Sequence, residues 1–314
     1  STGISKIREA IAFDSEFSAP SGLCIYITGS YGRKEAHQDS DLDLFFVHNG
    51  TRKKDSISNV EKTLMNASII NSCRRLGFPE FTKGGIYLEV HYLDDILDHL
   101  GSPKDDYRNY FTARMLLILE SIPIYSEDLY DNAISKIIST YYRDYHDHEK
   151  DFTPVFLVND IHRYWRTMCL NYEHIRNRKT DMDGVEKNKA HLKNLKLKFS
   201  RLLTCYSMIS AILSVSDSVT PDDIKRLIYM TPMERVLDIS ARNPALIDTI
   251  AEIRGYYAWF MEKTGRSQGE VMEWISDRSE RDNAFDRGRH FSKLIYKLVT
   301  ESPADPDKLR YLIV

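Results

Sequence analysis

The stretch "YITGSYGRKEAHQDSDLDLFFV", residues 26–47, joins the end of one apolar run to the start of another through a glycine-containing loop. The first run, "SGLCIYITGS", is short and bounded by turn residues, which predicts a buried strand. The second, "SDLDLFFV", alternates at first and then becomes wholly apolar. That pattern predicts a strand with one end at a solvent cleft and the other end in the core.

Two carboxylates share one face of the second predicted strand. Residues i and i+2 of a strand point to the same side, so Asp41 and Asp43 project together while Leu42 and Leu44 project into the core. Two like charges this close are unfavourable unless a positive charge lies between them. Mg²⁺ is typically bound by one or two carboxylates together with substrate phosphates. The pair therefore predicts a site for Mg²⁺ or Mn²⁺.

A later strand offers a third carboxylate. The pattern "YLEVHYL" places Glu89 and His91 on one face of a predicted strand. If that strand lies beside the aspartate strand, Glu89 completes an Asp–Asp–Glu set, with His91 as a neighbouring contact. Asp94 and Asp95 are rival candidates, but their position past the strand is more typical of a helix N-cap and first turn.

The loop between the two strands has the composition of a phosphate-binding turn. Its glycines let the backbone approach a ligand, its serine offers a hydroxyl, and a helix that starts there would aim backbone N–H groups at an anion. The Walker pattern GxxxxGK[ST] is absent. The residues expected to contact phosphates are Gly29, Ser30, Gly32, and Arg33 or Lys34.

Each of these motifs also has a simpler interpretation. A glycine–serine pair before two spaced aspartates can occur by chance, and paired acids often lie on a solvated sheet edge. Their combination on a strand–turn–helix–strand pattern, with a later glutamate-bearing strand, favours metal-dependent phosphate chemistry.

The chain changes character after its first third. Strand patterns almost vanish from about Asp105 onward, and long helical patterns follow to the C-terminus. We therefore predict an α+β fold: a head with a small mixed sheet and helices, followed by an all-α helical bundle domain. The predicted boundary lies near "SIPIYSED", where Pro123 interrupts a helical pattern, so the domains are 1–124 and 125–314.

Composition limits the classes of function. The formal net charge of -3 provides no chain-wide basic field for nucleic acid, although a local basic cleft is compatible with it. No apolar run reaches membrane-spanning length, and the start lacks the plan of a signal peptide. We expect a cytoplasmic protein with reduced thiols, because the cysteines show no metal-ligand spacing; they are Cys24, Cys73, Cys169 and Cys205.

The segment "GSYGRKEAHQDSDLDLFFV" resembles the signature of the DNA polymerase β-type nucleotidyltransferase superfamily. Within that superfamily, its sequence pattern is similar to that of the uridylyltransferase that modifies the PII signalling protein and to related bacterial nucleotidyltransferases. The resemblance is strong over residues 24–47 and looser through Glu89 and "FTARMLLILESIPIY". It implies that Gly29 and Ser30 bind the triphosphate of an NTP, that Asp41 and Asp43 bind Mg²⁺, and that Glu89 is the third carboxylate. The sequence departs from that pattern at Lys34, where a glycine commonly follows the arginine, and shows no HD hydrolase motif.

One helix of the second part carries candidate phosphate-binding cations. "FLVNDIHRYWRTMCLNYEHI" has an apolar stripe, which we interpret as core packing, and a polar face with Arg163 and Arg166. A solvated helix face is the simpler explanation of such charges. The functional interpretation is a basic wall that holds the triphosphate or an anionic acceptor.

Two classes of function remain open. The leading hypothesis is transfer of a nucleoside monophosphate from an NTP, with ATP as the default donor, to a hydroxyl of a protein side chain, an RNA 3′ end, a small molecule or a second nucleotide. The alternative is a nucleotide-binding regulatory module, or a toxin–antitoxin or defence partner, with little turnover. An exposed apolar stripe on "IRGYYAWFMEKTG" would favour a protein partner bound by the helical domain.

Overall fold

The computed structural model describes residues 2–12, 20–37, 40–81, 85, 88–178 and 184–313. The chain divides into two compact units, Ser1–Arg143 and Asp144–Val314. Among the described residues, none of the helices combines the length and apolar character that a membrane span needs.

The first unit is built on a mixed sheet of four strands. These are β1 (Leu23–Thr28), β2 (Asp43–His48), β3 (Val90–Tyr92) and β4 (Ile122–Tyr125), in the spatial order β3-β2-β1-β4. β1 pairs antiparallel with both β2 and β4, whereas β2 and β3 are parallel. β3 and β4 are therefore the edges of the sheet.

The first two predicted strands are confirmed, and the strand that carries the third carboxylate does lie beside β2 as expected. β3 is shorter than predicted: it begins at Val90, and Tyr87 of the predicted strand lies outside the described residues. β4 was not foreseen, because Pro123 was interpreted as a helix break. Proline is tolerated on an edge strand, where no ladder donor is required of it.

Helices cover both faces of this sheet. On one face a core cluster joins Ile25 and Phe46 of the sheet to Ile7 and Ile69 of the helices. On the other face Tyr26 donates its hydroxyl to the carbonyl oxygen of Ala113 at 3.5 Å. The helices of the unit are α1 (Thr2–Ala12), α2 (Gly29–Gly32), α3 (Asn59–Arg75), α4 (Leu93–Asp98), α5 (Pro103–Tyr107), α6 (Tyr110–Leu119) and α7 (Glu127–Tyr141).

A fully buried ion pair fixes α5 against α6. The guanidinium of Arg114 donates to both carboxylate oxygens of Asp105, at 2.9 and 2.7 Å, and its Nε donates to the hydroxyl of Tyr141 at 2.8 Å. Because both charges are buried and hydrogen-bonded, removing either partner would leave the other uncompensated. The position of α5 is therefore tightly determined.

The second unit is helical over its described residues, which confirms the predicted all-α part. Its core stacks Phe199 on Phe260 and Phe291, with ring centroids 4.6 and 4.7 Å apart. The helices are α8 (Val155–Arg178), α9 (Gly184–Lys196), α10 (Leu202–Leu213), α11 (Pro221–Tyr229), α12 (Pro232–Arg242), α13 (Ile247–Thr264), α14 (Gln268–Ser276) and α15 (Arg278–Glu301), with a π-helical segment, Leu197–Arg201, before α10.

Three of the apolar residues of "IRGYYAWFMEKTG", at helical spacing, lie in this core, and its other aromatic side chains are half-buried. Ile253, Tyr257 and Phe260 of α13 are buried, so the exposed stripe that would have favoured a protein partner is not present there. The apolar stripe of α8 is buried only in its first half: Leu157 and Ile161 are in the core, but Ile175 is 46% exposed.

The division between the units lies later in the chain than the predicted domain boundary. A boundary between residues 124 and 125 falls inside β4, which pairs with β1. The following helix, α7, packs on β1, β4 and α4. Arg143 and Asp144 mark the division between the compact units.

Candidate active site

The glycine–serine turn follows β1 directly and touches one of the paired aspartates. α2 is a single helical turn, and Gly29 at its start has φ +68, a left-handed conformation that favours glycine. A β-carbon built on Gly29 would lie 2.8 Å from Oδ2 of Asp43. Thr28 is the register partner of Asp43 across β1 and β2. The turn and the carboxylate therefore form one small site.

Burial confirms the alternation that was predicted for the paired aspartates. Asp41 and Asp43 are exposed, while Leu42 and Leu44 are buried in the core cluster. Exposure then falls along β2 toward His48. Asp43 is therefore the first residue of the strand, at its solvent end, and Asp41 lies two residues before it, where a cation and phosphates could reach both.

Glu89 lies immediately before β3 and is exposed. Parallel pairing matches Phe46 with Val90, so one step earlier Glu89 stands beside Phe45, on the face that carries Asp43. His91 is buried on the same face and stacks on Phe45, with ring centroids 6.3 Å apart. Burial lowers the pKa of His91, and the nearby Glu89 opposes that shift.

The rival carboxylates lie in the first turn of α4, as the sequence predicts. Asp95 accepts hydrogen bonds from Nε of Arg52 at 2.7 Å and from the hydroxyl of Tyr110 at 3.1 Å. Its charge is therefore compensated within the protein.

A metal ion fits the aspartate pair by the chemistry of its donors. Asp41 and Asp43 are both exposed and offer hard oxygen ligands, and Mg²⁺ commonly takes its other ligands from phosphates and water. In the part of the chain that the structure describes, no group of three or more histidine, cysteine, aspartate or glutamate side chains is gathered closely enough to hold a metal ion. The three-carboxylate set with Glu89 stays a prediction.

Ser30 and Arg33 differ in their availability to a ligand. Ser30 is half-buried, so its hydroxyl is partly accessible to a ligand. The Arg33 side chain is only 7% exposed: its Nε donates to Glu35 at 2.7 Å, and its Nη1 donates to the buried carboxylate of Glu120. A phosphate would have to compete with two carboxylates for Arg33.

The space left by Gly32 is filled by the protein itself. A β-carbon on Gly32 would overlap the carbonyl oxygen of Glu120, so the close approach at this glycine is to the chain's own backbone. Lys34 is exposed and has φ 60. This left-handed conformation explains why a glycine suits the position at which the sequence departs from the family pattern.

Arg163 and Arg166 lie on α8, in the second unit. Arg163 is 36% exposed and is 3.6 Å from a carboxylate oxygen of Asp160, while Arg166 is exposed. Both side chains are accessible to solvent, and their role in binding phosphate stays a prediction.

A cavity of about 500 Å³ beside β3 was not predicted from the sequence. It lies within the first unit, and Glu89 and His91 are among the residues that line it. Its charged lining comes from the loop after β2, α3, the segment before β3, α4 and α5. These charged residues are Arg52, Lys62, Glu89, Asp95, Lys104 and Arg108.

Comparison with known families agrees with this geometry. Residues 4–123 match the family model of the nucleotidyltransferase domain, from α1 to β4. No curated protein matches the chain.

The class of the protein follows from the match and the fold. Residues 4–123 are a nucleotidyltransferase domain of the polymerase β-type, as the resemblance implied, and the domain includes the glycine–serine turn, both aspartates and Glu89. The protein is a transferase enzyme. Such a domain moves a nucleoside monophosphate from an NTP to an acceptor.

Proposed function

We propose that this protein is a Mg²⁺-dependent nucleotidyltransferase that moves a nucleoside monophosphate from an NTP, with ATP as the default donor, to a hydroxyl on a protein or an RNA. The hydroxyl oxygen forms a bond to the α-phosphorus, the bond to the β-phosphate oxygen breaks, and pyrophosphate leaves. The expected location is the cytoplasm, with all four cysteines reduced.

The observation that carries this proposal is the contact between Gly29 and Asp43. The absence of a side chain at Gly29 leaves the space that Oδ2 of Asp43 occupies. A turn suited to phosphate and a carboxylate suited to a cation therefore adjoin, inside a domain of matching family. A nucleotide bound through a metal needs both groups together.

The residues of the site have distinct roles in this proposal. Backbone N–H groups of the turn and the hydroxyl of Ser30 bind the triphosphate, and Asp41 and Asp43 hold the metal. When bound, Mg²⁺ would neutralise charge that develops on the phosphate oxygens. Glu89 stands on the same face and accepts the proton of the attacking hydroxyl, or adds a third ligand. Arg163 and Arg166 are proposed as additional phosphate contacts.

The test is transfer of radioactive label. The pure protein is incubated with each α-³²P-labelled NTP, Mg²⁺ and a cell lysate, and the products are separated into protein, RNA and small molecules. Wild type is compared with Asp41→Asn/Asp43→Asn, which keeps side-chain size but removes both charges. The matched control is Asp147→Asn/Asp151→Asn, because these aspartates are exposed and lie in the other unit.

We expect label in one product class for wild type and for the control, and none for the Asp41/Asp43 variant. Binding of triphosphate without transfer of any label would favour the regulatory module. Label transfer by the Asp41/Asp43 variant at the wild-type rate would contradict the metal site.

A further inference from the structure

We propose that the cavity beside β3 binds the acceptor, and that this acceptor carries a phosphate group next to its hydroxyl. The inference rests on the proposed function, but it rejects a protein side chain as acceptor and leaves the end of an RNA or a nucleotide-like molecule. It is carried by the charge of the lining, by the place of the cavity in the sheet order, and by its size.

The lining has an excess of positive charge that the protein does not neutralise. Nε of Arg52 donates to Asp95 at 2.7 Å, and the Arg52 guanidinium lies 4.9 Å from the ring centre of Tyr92, so this cation is already paired. In the described part of the chain, no carboxylate forms an ion pair with the other three lining cations; these are Lys62, Lys104 and Arg108. A cleft lined by one sign of charge concentrates ligands of the opposite sign. Lysine and arginine bind phosphate especially well.

The order of the strands places this cavity where an attacking group is needed. The glycine–serine turn follows β1, Asp43 begins β2 in the centre of the sheet, Glu89 precedes the edge strand β3, and the cavity lies at that edge. In an in-line displacement, the attacking and leaving oxygens lie on opposite sides of the phosphorus. With pyrophosphate held at the turn, the acceptor approaches from the side of Glu89, which is the side of the cavity.

The size and walls of the cavity suit a small or terminal group. About 500 Å³ is within the range of ligand pockets. His99 stacks on Tyr110 with a centroid distance of 5.7 Å, and both line the cavity. This aromatic pair can pack against a sugar or a base. The buried pair of Arg114 and Asp105 fixes α5, which carries Lys104.

The acceptor inferred from this cavity differs from a protein side chain. Serine, threonine and tyrosine hydroxyls bring no phosphate, so they would leave Lys62 and Arg108 without a partner. A mononucleotide or an RNA 3′ end brings a hydroxyl and a phosphate a few bonds apart. Both sources share the chemistry that the lining recognises.

The test is binding, measured on the full chain without turnover. Adenosine 5′-monophosphate and a five-nucleotide oligoribonucleotide are titrated by calorimetry, with adenosine as the uncharged match. α,β-Methylene ATP and Mg²⁺ are present throughout, so that a donor site at the turn is filled. The variant is Lys62→Gln/Arg108→Gln. The control, Lys136→Gln/Arg143→Gln, changes the net charge equally at exposed positions outside the cavity.

We expect at least one phosphate-bearing probe to bind wild type more tightly than adenosine, and to bind the Lys62/Arg108 variant at least about tenfold more weakly, while the control stays within about twofold. The tighter of the two probes identifies the source of the phosphate. Equal binding of adenosine, unchanged binding by the variant, or no binding of any probe would overturn the inference.

Binding of the donor nucleotide distinguishes a failure of this inference from a failure of the proposed function. A separate titration of α,β-methylene ATP tests the turn and the aspartates. Failure of the donor to bind, with the phosphate-bearing probes still dependent on Lys62 and Arg108, would reject the proposed function and keep the cavity as a phosphate site. If the donor binds but no phosphate-bearing probe depends on Lys62 and Arg108, the donor site stands and the acceptor site in the cavity is rejected.

Discussion

Replacing Gly29 with alanine separates the structural role of this glycine from its role beside Asp43. Gly29 has φ +68 and Gly77 has φ +77, so alanine would be held in an unfavourable left-handed backbone conformation at both positions, with a similar loss of stability. That cost is about 1 kcal/mol. At Gly77 a β-carbon meets no atom within 4 Å, whereas at Gly29 it meets Oδ2 of Asp43 at 2.8 Å. Gly77→Ala is therefore the matched control.

The contact gives the distance by which Oδ2 of Asp43 must move in Gly29→Ala. Ordinary contact begins at 3.4 Å, so Oδ2 must retreat by about 0.6 Å. A metal ligand tolerates roughly 0.2 Å of error, and a misplacement of about 1 Å can cost on the order of a hundredfold in rate. We therefore expect Gly29→Ala to reduce label transfer by roughly ten- to a hundredfold. The end of a side chain can move cheaply, so little extra loss of stability is expected.

Two measurements check this prediction. Urea unfolding should show similar shifts for both variants, about 0.5 M for about 1 kcal/mol at a slope of about 2 kcal/mol per M. Label transfer should fall in Gly29→Ala alone. If both variants kept the wild-type rate, the position of the Asp43 carboxylate would not matter for transfer. If both lost activity equally, stability rather than ligand geometry would be the cause.

Three further predictions follow from contacts in the same unit. Lys34→Gly should raise the free energy of unfolding by about 0.5–1 kcal/mol in urea titrations, because φ 60 favours glycine. Lys34→Ala should not raise it. If Lys34 contacts phosphate, both variants should bind NTP less tightly than wild type. Glu120→Ala should cost roughly 3–5 kcal/mol in the same titrations, because it leaves the buried Arg33 without one of its two carboxylates; an effect under about 1 kcal/mol would contradict this. Burial raises the pKa of Cys24 and Cys73 to about 12, so both thiols should react with a disulfide reagent at pH 8 only after unfolding, and rapid reaction in the native protein would refute that burial.

The features that could be predicted from the sequence have signals within a few neighbouring residues. β1 is a short apolar run between turn residues, as predicted. Local signals also mark both ends of α3, where Ser58 and Glu61 form a capping box and Gly77, with φ +77, follows the last turn. The alternation of Asp41 and Asp43 with buried leucines was likewise readable from the period of a strand.

The features that were missed depend on residues far apart in the chain. β4 is a four-residue strand that pairs with β1, and nothing within "SIPIYSED" reveals that partner. The cavity collects its cations from positions between 52 and 108, and neither Lys62 nor Arg108 stands out in its own segment. Such groupings arise only when the sheet order brings the segments together.

Arg33 shows why a residue within a binding motif need not bind the ligand. Its place after two glycines suggested a phosphate contact, but Glu120, 87 residues later, accepts its guanidinium, and the carbonyl oxygen of the same residue lies against Gly32. Arg33 and Gly32 thus attach the turn to the end of α6, and this attachment fixes where Gly29 and Ser30 can lie. Breaking the ion pairs of a buried arginine with two carboxylates costs free energy. Phosphate charge is therefore better neutralised by the exposed Lys34 or by unpaired cations of the cavity. The motif therefore combines residues that build the loop with residues that face the ligand, and burial distinguishes them.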